Sequence, residues 1–198
     1  SMKRITMNEA LEWVRDAENC SPEERLKLQH DRLAALAGYA KTNSPFFKKL
    51  YEGIGTGFEL RDLPVTSKQM LMPVFNEWVT DPAVTDDKVK EYLGHKENMG
   101  RTFLDGYTVL TTSGTSGFPL TMVRDSFHNM VHGALMKHRF FRDVDPDLAN
   151  PAKYKIASVI AVGSFSSSFT SFERMRNADS AFAQNMLAVS ILLPVDEI

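Results

Sequence analysis

Ile156-Ala-Ser-Val-Ile-Ala-Val162 is an unbroken, mostly apolar run of strand length, and Leu187-Ala-Val-Ser-Ile-Leu-Leu193 repeats the pattern further along the chain. Runs that do not alternate apolar with polar residues read as strands buried on both faces, the habit of parallel sheets. A Ser/Phe-rich turn and a helical pattern lie between the two, the order expected of a right-handed crossover. Upstream, Asp125 is placed to cap a helix whose inner face is Phe127, Met130, Val131, Ala134 and Phe141. Arg139 and Arg142 fall at its end, where the helix dipole favours cations. Earlier still, Tyr107 to Thr112 is β-rich and Pro119 to Val123 reads as the returning strand of a hairpin.

The first third has a helical period instead. Thr6-x-x-Glu9 and Ser21-Pro22-x-Glu24 both have capping-box form, the second with proline at the first helical position. One long helix is expected from about Pro22 to Lys41, and Ser44-Pro45 starts another that Gly53 helps to stop. Thr66-x-x-Gln69 opens a helix reaching Trp78, bent or shortened by Pro73. The expected fold class is therefore α/β, an N-terminal helical segment followed by a largely parallel β-sheet with crossover helices. Residues 3–80 form the helical segment, 81–106 connecting loops, and 107–198 the α/β portion. Ser1 ahead of Met2 reads as a remnant of tag removal, and the apolar run near Ile198 reads as a domain cut short at 198.

Composition narrows the function classes. The chain has 198 residues, with 23 Lys+Arg against 25 Asp+Glu and a formal net charge of -2. Such a length buries roughly 70% of its unfolded surface, so no disulfide or metal is needed for folding. A near-neutral balance without basic runs argues against nucleic acid or acidic lipid as partner. A lone cysteine, Cys20, fits a reducing cytoplasm, and no stretch is long enough to span a bilayer. A cytoplasmic domain is expected. His128 and His132 stand four apart on the helix after Asp125, but no third ligand accompanies them and no metal role is assigned.

The segment between the hairpin strands carries the chemistry. In Thr111-Thr112-Ser113-Gly114-Thr115-Ser116-Gly117-Phe118-Pro119, two glycines free the backbone so that N–H groups can converge on one anion. The hydroxyls of Thr112, Ser113, Thr115 and Ser116 add donors at the same place. A Walker A loop is excluded by spacing and by the missing lysine, and a hydrolase elbow because Gly117 directly follows Ser116. Gly53-Ile-Gly55-Thr-Gly57 lacks dinucleotide-fingerprint spacing and reads as a turn. A bare Ser/Thr/Gly loop also suits a plain surface hairpin, since these residues dominate turns.

Thr112-Ser113-Gly114-Thr115-Ser116-Gly117-Phe118-Pro119 resembles the phosphate-binding loop of the adenylate-forming (AMP-forming) ligases, in particular the phenylacetate–CoA ligase and coenzyme F390 synthetase branch. Leu28-Gln29, Arg32-Leu33, Tyr39 and Asn43-Ser44-Pro45-Phe46-Phe47-Lys48 are similar to the N-terminal helices of that branch. Leu60-Arg61-Asp62-Leu63-Pro64-Val65-Thr66-Ser67-Lys68, Phe172-Glu173-Arg174 and Leu193-Pro194 add to the likeness, which runs from about residue 25 to the end. Leu120 stands where the wider family often has lysine, and Phe118 departs from the lysine common in the branch.

The resemblance implies part of the large N-terminal domain of an enzyme that activates a carboxylic acid, here expected to be an aryl acid, with Mg·ATP. The acyl-adenylate would then pass to coenzyme A. Carried over residue by residue, Thr112, Ser113, Gly114, Thr115, Ser116 and Gly117 would hold the β- and γ-phosphates. The family's adenine-binding segment and its late lysine have no counterpart before Ile198, so no catalytic residue is assigned and adenylation by residues 1–198 alone is not expected. Gly163, Phe165 and Phe169, which follow a strand, are the candidates for the acyl site. Expected partners are a small carboxylic acid, the remainder of a longer chain, and a second copy or domain swap through an exposed sheet edge around Leu187–Leu193. Two other readings stand beside this one: a non-catalytic nucleotide- or phosphate-binding module of the same fold, and an unrelated α/β interaction domain.

Overall fold

The computed structural model describes residues 4–112, 119–140 and 153–197. Chain contacts divide it into two units, Asp16–Lys90 and a second built from Ser1–Arg15 with Glu91–Ile198. The chain is mixed α/β, with helices predominating.

Helix α1 (Met7–Asn19) starts where Thr6 and Glu9 close a reciprocal capping box: Thr6 Oγ1 accepts the Glu9 N–H and Glu9 Oε2 accepts the Thr6 N–H. Its early part belongs to the second unit, where Ala10, Leu11 and Val14 bury themselves against Ala134, flanked by Ile5, Met7, Met130 and Leu135. Trp13 meets Phe127 edge-on at 5.8 Å in the same layer.

In the unit Asp16–Lys90, α2 (Pro22–Asn43) opens with Pro22 at the first turn and the full Ser21–Glu24 capping box. Ser44 ends it and caps α3 (Pro45–Leu50), taking the Phe47 N–H on its hydroxyl oxygen. The same hydroxyl donates to the Glu77 carbonyl at 3.0 Å, so a residue only 1% exposed ties two parts of the unit together. The expected helix up to Trp78 is divided: α4 (Lys68–Leu71) is capped by Ser67 rather than Thr66, a 3-10 turn holds Pro73, and α5 (Phe75–Trp78) follows. Proline's missing N–H and its ring force that division.

Residues 81–106, expected as loop, contain α6 (Asp86–Gly94). Thr85 caps it locally, its Oγ1 accepting the Lys88 N–H. Asn76 adds a bond from ten positions upstream, its Oδ1 accepting the Asp86 N–H, and Val89 is buried.

In the second unit, β1 (Thr108–Thr112) and β2 (Leu120–Arg124) form an antiparallel hairpin in which Thr112 pairs with Leu120. Helix α7 (Ser126–Phe140) follows, with Asp125 Oδ1 accepting the His128 N–H at 2.7 Å. Strand β3 (Ile156–Ile160) leads through α8 (Ser167–Ala178) and α9 (Ser180–Asn185) to β4 (Met186–Ser190), which pairs with β3 in parallel. The crossover is present, but a large parallel sheet is not: the described strands make two sheets of two strands each. The hairpin turns β1 back on β2, and its other edge is met by loop backbone rather than by a strand.

The β3–β4 pair is also not buried on both faces. Ile156, Ile160, Met186 and Ala188 face Phe169, Phe172 and Phe182, whereas Val159 is 48% and Leu187 62% exposed on the other side. Gly100 lies hard against helix backbone. Its φ is +74°, and a Cβ there would lie 2.6 Å from the Glu173 carbonyl carbon and 2.7 Å from the Arg174 nitrogen of α8. Among the described residues, no helix is long and apolar enough to cross a membrane.

Candidate functional site

The neck of the hairpin is the best-positioned feature of the candidate phosphate loop. Thr112 ends β1, and its Oγ1 accepts the Leu120 N–H across the strands at 3.3 Å. A hydroxyl that accepts through its oxygen keeps its proton to donate, so this contact leaves Thr112 able to serve an anion. Ser113, Gly114, Thr115, Ser116 and Gly117 lie outside the described residues, as does Phe141 of the expected inner face of α7.

The outer edge of β1 joins the hairpin to a second segment. Thr111 donates its N–H to the Phe165 carbonyl at 2.8 Å. Phe165 stands between Gly163, whose φ is +82°, and Ser166, the N-cap of α8. That segment leaves the C-terminal end of β3, where ligands gather in open α/β sheets. The structure thus brings the base of the candidate phosphate loop to the stretch expected to hold the acyl group.

The candidate acyl residues are distributed unequally. Gly163 is exposed, with open space where a side chain would stand. Phe165 is buried, its ring 5.8 Å from Tyr92, which in turn meets Phe103 edge-on at 5.2 Å. Phe169 is buried too, stacked on Phe172 at 6.4 Å in the layer beneath β4. Of these three, Phe165 is the one whose backbone reaches the hairpin by a hydrogen bond among the described residues.

The other end of the hairpin is basic. Burial holds the Arg124 guanidinium below its ordinary value. His128, one turn into α7, is held below the usual histidine range first by desolvation and then by the charges of Arg124 and His132, with Asp125 opposing. The His128 and His132 rings lie nearly parallel, 6.3 Å apart. No three His, Cys, Asp or Glu side chains converge among the described residues in a way that could hold a metal ion.

Tyr92 was not visible to sequence reasoning, because its stretch reads as loop. Its phenol lies 2.6 Å from the Asn98 carbonyl and 2.8 Å from that of Arg101, and burial pushes its pKa up. Asn98 returns a hydrogen bond from Nδ2 to the Tyr92 carbonyl at 2.9 Å. Arg174, singled out only by resemblance, is partly buried near Tyr92, and desolvation pulls its guanidinium down. Compared with known proteins, the chain matches no family model, no curated protein and no solved structure.

Proposed function

We propose that the chain is the N-terminal, phosphate-binding part of an ATP-dependent ligase that adenylates a carboxylic acid, an aryl acid in the first instance, and passes it to coenzyme A. The observation that carries the reading is the Thr111–Phe165 hydrogen bond at the neck of a Ser/Thr/Gly loop. It joins the strand end that leads into this loop to a segment that leaves a strand's C-terminal end, an arrangement that suits a reaction between a nucleotide and a second substrate.

In this reading the hydroxyls of Thr112, Ser113, Thr115 and Ser116 and the amides around Gly114 and Gly117 hold the β- and γ-phosphates. They stabilise the charge that builds as pyrophosphate departs. The hairpin ladder fixes the strand ends, so Thr112 is oriented before the nucleotide arrives. Mg²⁺ would be carried by the nucleotide and would neutralise phosphate charge, while the Thr112 O–H, whose oxygen accepts from Leu120, would donate to a phosphate oxygen. The carboxylic acid would lie toward Gly163, where there is room for it.

The test is calorimetric titration of Mg·ATP into the chain and into a Thr115→Ala/Ser116→Ala double variant. Hydrogen bonds to charged groups are worth about 1.5–3 kcal/mol each, so the variant should bind at least about tenfold more weakly. Equal affinity in the two proteins would overturn the loop assignment. Binding of Mg·ATP by a longer chain that releases no pyrophosphate with any of a panel of carboxylic acids would favour a non-catalytic module.

A further inference from the structure

A cavity of about 320 Å³ opens on the second unit, and no residue of the hairpin lines it. Met99 and Phe169 give it apolar walls, and Lys96, Glu97, Arg101, Glu173 and Asn177 supply the polar lining. Small-ligand sites start at roughly this size and pair an apolar body with a few placed polar groups.

The cavity is built rather than incidental. Phe169, Glu173 and Asn177 recur every fourth residue along α8, so they share one helix face. The opposite wall is held by the Tyr92–Asn98 hydrogen bonds and by Gly100, whose backbone lies directly on that of Glu173 and Arg174. A side chain at Gly100 would push the two walls apart.

Charge selects the ligand. Glu173 is engaged by Arg176 at 3.0 Å, and Glu97 is approached by His95 at 3.3 Å. Lys96 and Arg101, both exposed, make no ion pair within 4.0 Å among the described residues. The lining itself carries two cations and two carboxylates, and Arg176, which lies outside it, engages Glu173, so Lys96 and Arg101 together face the single remaining carboxylate of Glu97. We propose that the cavity binds a small organic monoanion, its apolar body on Met99 and Phe169 and its single negative head between Lys96 and Arg101. The site takes in Phe169, one of the candidate acyl residues, but no residue of the hairpin loop, Gly163 or Phe165, and its charge argument does not use the ligase reading.

The test uses hexanoate, hexylamine and hexan-1-ol, which present the same apolar body under three different heads. Titrated into the isotope-labelled chain, hexanoate should shift the amides of Met99, Arg101, Phe169 and Asn177 and saturate at millimolar concentration. Hexan-1-ol should shift them more weakly and hexylamine not at all. In a Lys96→Gln/Arg101→Gln variant with an unchanged circular dichroism spectrum, hexanoate should bind about tenfold more weakly while hexan-1-ol is unaffected. Hexanesulfonate should match hexanoate, since charge and not carboxylate chemistry is read. Shifts that map to Thr112 or Gly163, equal responses to all heads, no response, or indifference to the double variant would each overturn the proposal. The Thr115→Ala/Ser116→Ala variant should keep hexanoate binding intact, which separates this result from the fate of the phosphate loop.

Discussion

Substituting Gly100 by alanine should destabilise the second unit by about 2–4 kcal/mol. Two costs add. At φ +74° an L-residue takes the left-handed conformation, about 1–2 kcal/mol, partly offset by the 0.4–1 kcal/mol that alanine gains by restricting the unfolded chain. The new Cβ would also meet the Glu173 Cβ at 2.5 Å and helix backbone at 2.6 and 2.7 Å. Backbone cannot rotate aside as a side-chain tip does, so the wall must recede by roughly 1 Å to restore normal carbon contact. Overpacking of this kind costs about 1–3 kcal/mol. Gly163→Ala is the internal control, because its φ is +82° in the same unit but nothing lies within 4 Å of the added carbon. It should lose only about 1 kcal/mol. Urea denaturation of both variants measures the difference, read from the transition midpoint at unchanged slope. A Gly100→Ala variant no less stable than Gly163→Ala would refute the steric reasoning.

Ser44→Ala should cost the Asp16–Lys90 unit about 2 kcal/mol, roughly half from the lost cap on the Phe47 N–H and half from the stranded Glu77 carbonyl. Thermal denaturation followed by the fluorescence of Trp78, the tryptophan of that unit, checks it, and a loss no larger than that of an exposed alanine substitution would contradict it. His128→Gln should flatten the acid side of the stability profile. The folded-state pKa of His128 lies below its unfolded value of about 6.5, so protonation favours the unfolded chain, and stability falls as the pH drops through that value toward the folded pKa. Denaturation midpoints at about pH 7.5 and 5.5 should therefore differ less in the variant than in the parent protein, and an equal difference would remove His128 from the account.

The helix starts at Pro22 and Pro45 were legible because their signals are local: serine, then proline, with the capping partner one turn away. Helix α6 was not, because its one buried residue, Val89, makes no period in the letters, and the Asn76 bond that supports its local Thr85 cap comes from ten positions upstream. The β3–β4 crossover was legible from two apolar runs, but such runs do not count neighbours or say which face is covered. Exposed Leu187 and Val159 show the difference. At the candidate site the hairpin strands could be placed from propensity, whereas the Thr111–Phe165 bond joins segments far apart in sequence and leaves no trace there. The Gly100 contact is of the same kind, since the letters show a glycine but not the helix that lies against it.

The order of β3, α8, α9 and β4 also sets a timetable for folding. Two parallel strands cannot meet through a tight turn, so Ile156 reaches Met186 only after the intervening chain has condensed. Loop closure must be met before the ladder returns any stabilisation, which makes the parallel pair a late event. The hairpin, whose strands are nearly adjacent in sequence, needs no such wait and can form in microseconds. The chain thus builds the frame of its hydroxyl-rich loop early and finishes the strand pair behind Gly163 last.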